Sequence, residues 1–130
     1  AFTADHLLRT ARSTSKPIKL LLMEQKAVVG LGNIYAAEAL FQARIHPAKP
    51  SNRISKPKLT ALHQSILETL ALAMASAQAA FELPGDFAEG EFFPMAVYGR
   101  EGEPCLRCKS PIHRIPQSGR STYYCPRCQR

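Results

Sequence analysis

Cysteine is missing from the first 104 residues of this 130-residue chain; all four fall within the last 26. A secreted domain stapled by disulfides usually spreads its cysteines along the chain, so this distribution argues against that framework. No apolar run approaches the roughly 20 residues that a membrane-spanning helix needs. The start, Ala1-Phe2-Thr3-Ala4-Asp5-His6, has no initiator Met and nothing that reads as a secretion signal. Its first residues pattern as helix in mid-domain, which suggests a piece of a longer protein. There is no P-loop, no carboxylate dyad and no convincing Ser–His–Asp set. His6 and His63 fall on expected helices, His46 precedes a proline, and His113 lies among the cysteines.

Acids are scarce as well, 10 against 17 Lys and Arg, and the excess is uneven. Residues 1–26 carry five basic residues against two acids, 27–99 five against six, and 100–130 seven against two. Two basic stretches flanking a near-neutral middle point to a polyanionic partner.

With 45% hydrophobic residues, the chain has enough apolar material for a real core. Its periodicity predicts four helices. Residues 3–13 form the first, with Thr3 as N-cap. Pro17 suits the first turn of a second over 18–24. A third runs 33–44, with Ile34, Ala37, Phe41 and Ile45 at helical spacing, and His46-Pro47 ends it. The three-proline segment 47–57 reads as a loop. A long helix over 58–80 follows, its core stripe expected at Leu59, Leu62, Ile66, Leu70 and Met74. Residues 81–99 read as an acidic, Pro- and Gly-broken connector.

The strongest chemical signal is Cys105-Leu106-Arg107-Cys108, sixteen residues, then Cys125-Pro126-Arg127-Cys128. Two C-x-x-C knuckles suit a tetrahedral, structural Zn2+; two disulfides, a redox dithiol or an iron–sulfur cluster are the alternatives. Between them, Ile112–Ile115 and Ser121–Tyr124 read as strands around a Ser118-Gly119 turn. Arg120 sits at the hairpin tip, where an arginine can clamp a phosphate. A second signal is Gly30-Leu31-Gly32-Asn33. Glycines allow close backbone approach, and Asn33 opens a helix whose free N–H groups and dipole favour an anion; a plain helix cap is the alternative. Lys16 and Lys19 are candidates for neighbouring phosphates. Glu24 and Glu38, the acids nearest this turn, read as structural.

Three stretches, in order, resemble one known family. Gln25–Ala36 (QKAVVGLGNIYA) is similar to the helix–two-turns–helix signature of formamidopyrimidine-DNA glycosylase, the bacterial repair enzyme for oxidised purines. Val97–Cys105 is similar to that family's lead into its zinc finger, and Gly119–Gln129 to the finger itself. The resemblance covers nearly the whole chain. It implies a mainly α fold, with a helix–two-turns–helix domain over 1–96 and a zinc-binding β-hairpin over 97–130 holding one structural Zn2+ on Cys105, Cys108, Cys125 and Cys128. It implies double-stranded DNA with a damaged base or abasic site as partner, and a monomeric, cytoplasmic, nucleoid-associated bacterial protein with no membrane contact.

The resemblance also assigns roles. Asn33, Arg120 and Lys19 are expected at DNA, joining Lys16 and Gly32 from the residue reading above, and Arg120 as proton donor in δ-elimination. The family's nucleophile, an N-terminal proline followed by glutamate, has no counterpart in Ala1-Phe2, and its catalytic lysine has none either. The 130 residues alone are therefore expected to bind DNA without glycosylase or lyase activity. The segment Phe81–Pro94 is shorter than the family's loop over the flipped purine, which leaves an endonuclease-eight-like pyrimidine enzyme as the nearest alternative and a non-catalytic zinc-ribbon protein as the more distant one.

Overall fold

The computed structural model describes residues 3–24, 32–82 and 95–130, with side chains through residue 75 in the second stretch. Expectations placed on Gln25–Leu31 and on 83–94, including most of the short connector loop, lie outside the described residues. Four helices, α1 (Ala4–Arg12), α2 (Ile18–Glu24), α3 (Asn33–Gln42) and α4 (Lys56–Glu82), precede a two-stranded antiparallel hairpin, β1 (His113–Gln117) and β2 (Arg120–Tyr124).

Local chemistry explains most of the boundaries. Thr3 caps α1 as expected, its Oγ1 accepting from the His6 N–H at 3.1 Å. Pro17 sits just ahead of α2, and its carbonyl accepts from the Leu21 N–H. The next two N–H groups turn outward from α2: Ile18 donates to Lys49 O and Lys19 to Pro47 O. That closes the 14–17 segment onto the 47–52 loop, where Pro17 and Pro50 form a β-bridge. The helix α4 starts two residues earlier than expected. Ser55 caps it, its Oγ accepting from the Lys58 N–H, and Pro57 fits the first turn, where no helical N–H is needed.

Helix α3 stops at Gln42 rather than Arg44. Arg44 takes a left-handed φ of 62°, Ile45 donates to Leu40 O and Arg44 to Phe41 O. This bond pair is a Schellman cap, usually built on glycine. An arginine there gives no compositional signal, which is why the sequence pattern ran past it.

The main core gathers α1, α2, α3 and α4 through Leu7, Ile18, Leu22, Leu40, Leu62 and Ile66. A second cluster joins Ala37 and Phe41 of α3 to Val97, Ile112, Cys105 and Cys125. Every residue of α3 from Tyr35 to Phe41 is buried, so this one helix is a wall between two cores. Met74 corrects the expected stripe: it is 74% exposed, and Ala73 is buried instead. Fifteen residues on from Leu59, an α-helix has rotated about 60° past a whole number of turns.

Candidate functional site

The four cysteine sulfurs converge. All lie within 4.8 Å of one another, with Cys105 Sγ 3.8 Å from Cys128 Sγ and Cys108 Sγ 3.4 Å from Cys125 Sγ. A disulfide needs about 2.05 Å, so the disulfide alternative fails. A tetrahedron of Zn–S bonds near ~2.3 Å has edges of about 3.8 Å, close to what is found. Backbone N–H groups point at the sulfurs, Arg107 N to Cys105 Sγ and Cys128 N to Cys125 Sγ, both at 3.4 Å. Without a cation the four thiols divide their protons: hydrogen bonds from Ser110 draw Cys108 down to about 6, while burial pushes Cys128 up to about 12. Four thiolates at this spacing require a divalent cation between them, and the donor set is that of one structural zinc ion with no position left for water.

Three side chains fasten this finger to the helices. The buried carboxylate of Glu38 on α3 accepts from the N–H groups of Ala96, Val97 and Tyr98 at 2.6–2.9 Å. Arg107 lies 4.3 Å above the Phe41 ring and donates to Phe41 O and Gln42 Oε1 at the C-terminus of α3. Buried Gln129 accepts from the Cys125 N–H and donates to Ile45 O. Glu38 is thus structural, as its sequence position suggested, and Arg107 holds the fold rather than a ligand.

The docking carries the hairpin tip to the start of α3. Ser118 and Gly119 both have positive φ, 49° and 80°, the pattern of a two-residue type I′ turn, and Gln117 pairs with Arg120 across it. A groove of about 610 Å3 opens there, lined by Gly32 and Asn33, by Arg120 and Ser121, and by Tyr35, Tyr98 and Tyr123. A smaller depression of about 320 Å3, with Lys16, Met23 and Glu24, lies on the other side of Arg120. Gly32 is the N-cap of α3 and offers no side-chain cap. The first N–H groups of a helix have no acceptor within it, so this end is electropositive. By contrast, the start of α2 is closed by the Ile18 and Lys19 bonds to the 47–49 carbonyls. Arg120 is exposed and, among the described residues, has no side-chain hydrogen bond or salt bridge.

Asn33 is only partly open to a ligand. Its Nδ2 donates to Ser121 O at 3.0 Å, and its Oδ1 accepts from Lys19 Nζ. One amide hydrogen remains for the groove. Lys19, expected to contact DNA phosphates, is fully buried beneath Asn33. Its Nζ also donates to Thr122 Oγ1 at 2.6 Å, which passes a hydrogen bond to Gln117 Oε1. Among the described residues it meets no carboxylate. Burial, and then the Arg120 guanidinium, hold its pKa at about 8 instead of 10.5. Lys16 is at the rim, engaged by both carboxylate oxygens of Glu24 at 2.6 and 2.8 Å. The tyrosines escaped sequence reasoning. Tyr98 lies in the Val97–Cys105 stretch and packs edge-on against Tyr123, ring centres 5.0 Å apart, but only the fold brings either to Asn33.

Fold and site together define a helical domain with an attached four-cysteine finger and a groove between them lined by a helix N-terminus and an arginine. The model for "Formamidopyrimidine-DNA glycosylase H2TH domain" matches residues 1–83, and "Zinc finger found in FPG and IleRS" matches 102–130. The chain belongs to the formamidopyrimidine-DNA glycosylase H2TH family. It is 41% identical over 131 residues to the formamidopyrimidine-DNA glycosylase of Cytobacillus firmus, covering 98% of this chain and 48% of that protein. With the Synechocystis enzyme it shares 41% over 134 residues, covering 98% and 46%. It superposes on the MutM (Fpg) protein of Thermus thermophilus with a TM-score of 0.85 at 35% identity, over 98% of this chain and 50% of that one. Lactococcus lactis Fpg, solved as a complex with abasic-site DNA, gives 0.85 at 37%, over 98% and 48%. The chain therefore spans about half the length of these relatives.

Proposed function

We propose that this chain is the DNA-holding part of a base-excision repair glycosylase and AP lyase acting on oxidised purines, and that its groove grips the backbone phosphates beside a damaged or abasic nucleotide. One observation carries the reading: a helix N-terminus at Gly32-Asn33 without a side-chain cap and an arginine, Arg120, unpaired among the described residues, line the same groove. Backbone N–H groups and a guanidinium are complementary donors for phosphate oxygens. Family membership and a relative solved on abasic-site DNA support DNA as the polyanion. In this reading the Asn33 amide hydrogen, the Gly32–Asn33 backbone and Arg120 hold phosphate, while Lys16 joins them by leaving Glu24. Arg120 also serves as proton donor in δ-elimination in the whole enzyme. We further propose a monomer, with the bacterial nucleoid as its place of work, in keeping with relatives that are bacterial.

The test is fluorescence anisotropy with a duplex carrying an abasic analogue and with its intact counterpart. Tighter binding of the abasic duplex is expected. Asn33→Ala and Arg120→Ala should each weaken binding roughly tenfold, and Arg120→Ala should reduce the salt slope by about one unit. Unchanged affinity in both variants removes their assigned roles, and equal affinity for both duplexes favours a general zinc-ribbon binder. Strand nicking by these 130 residues is not expected; a borohydride-trapped adduct would overturn that.

A further inference from the structure

We infer that the buried ammonium of Lys19, which meets no counter-charge among the described residues, is a positioning group that gains one when phosphate enters the groove, so that DNA binding and protonation of Lys19 are linked. This rests on the phosphate reading of the groove. Among the described residues Lys19 Nζ has two oxygen acceptors, Asn33 Oδ1 and Thr122 Oγ1, both neutral. By holding the amide oxygen it turns the Asn33 nitrogen toward Ser121 and the groove. The charges around it are one-sided. From β2 comes Arg120. On its own side of the fold Lys16 and Glu24 neutralise each other. The carboxylate of Glu38 on α3 is turned to the backbone at 96–98. The neighbouring loop brings Lys49, Arg53 and His46, the last accepting from the Ala48 N–H.

Two cations with no carboxylate partner among the described residues therefore stand at one groove, Arg120 in its wall and Lys19 buried behind Asn33. A desolvated ammonium beside a guanidinium loses its proton more easily than a free lysine, and in the free protein it does so near pH 8. A phosphate across Asn33 supplies the missing negative charge and restores the proton affinity. Binding above that pH must then take up a proton. Affinity is expected to be about tenfold weaker at pH 9 than at pH 7, since only about a tenth of free molecules then carry the proton.

The test uses this chain loaded with zinc and a duplex containing a tetrahydrofuran abasic analogue. Calorimetry at pH 8.5–9, in buffers of different ionisation enthalpy, should show uptake of roughly 0.75–0.9 proton, falling to about 0.1 at pH 7. Lys19→Met, with zinc content and helicity checked, should bind more weakly at pH 7 and stay flat to pH 9, with wild type descending toward it. Tight binding without proton uptake overturns this inference alone, as does a parallel decline in Lys19→Met. No binding at any pH overturns the phosphate reading and this inference with it.

Discussion

At the scale of single residues, buried side chains carry the consequences. A lysine sealed under Asn33, with no carboxylate partner among the described residues, costs the folded state stability whenever it is charged. The sign follows from the two proton affinities. Unfolded Lys19 keeps its proton to about 10.5 and folded Lys19 releases it at about 8. Below pH 8 both states are charged and the folded state bears the full desolvation; from 8 to 10.5 that burden lifts. Lys19→Met should thus raise the melting stability by about 1 kcal/mol at neutral pH, after the two lost hydrogen bonds are set against the desolvation relieved, and the gain should shrink toward pH 10.5. Thermal melts at pH 7 and pH 9.5 check it; a gain that grows with pH contradicts the assignment. The direction in which Lys19 points was not legible from the sequence. Its position before Leu20-Leu21-Leu22 shows a cation on a short helix, but nothing local says which face the hairpin covers.

Among the elements, α3 governs the arrangement because both of its faces are buried. Its sequence, NIYAAEALFQ, is nearly apolar all round, with one carboxylate in the middle. Glu38→Gln keeps the shape but presents an NH2 group to backbone donors. It should destabilise the protein by about 1–3 kcal/mol, since at least one buried N–H loses its acceptor. Phe41→Ala removes a ring shared by the finger cluster and Arg107 and should cost about 3–5 kcal/mol. Urea unfolding checks both, and a loss below about 0.5 kcal/mol in either, the scale of an ordinary surface substitution, would contradict the role given to α3. Helix existence was legible here from spacing alone. Its end was not, because the cap rests on Arg44 in a conformation that composition signals only when glycine holds it. The stripe on α4 failed at Met74 for a related reason: small errors in spacing accumulate as rotation.

Across the whole molecule, finger and helices share a core and should unfold together. Removing zinc with a chelator withdraws the cation that holds Cys105, Cys108, Cys125 and Cys128, and with it the far side of the Ala37–Phe41 cluster. We expect the helical signal to melt at a lower temperature without zinc and abasic-duplex binding to be lost, both returning with added Zn2+. A helical melting curve indifferent to zinc would mean that Glu38, Arg107 and Gln129 do not couple the parts. The cysteine quartet was readable because its spacing is local chemistry repeated. The joining of Asn33 to Arg120 was implied only by the family likeness, since two residues so far apart in sequence meet through the docking of a finger.

The type I′ turn makes the hairpin a ruler. Strands advance about 3.3 Å per residue and alternate faces. A single residue inserted in β2 after Arg120 would push the tip outward and break the Thr122–Lys19 register. A matched pair in both strands would preserve facing but carry Arg120 about 6.6 Å from its place beside Asn33. The reach of this protein along a DNA backbone is therefore set by strand length as much as by side-chain identity, and graded hairpin insertions should tune it in steps.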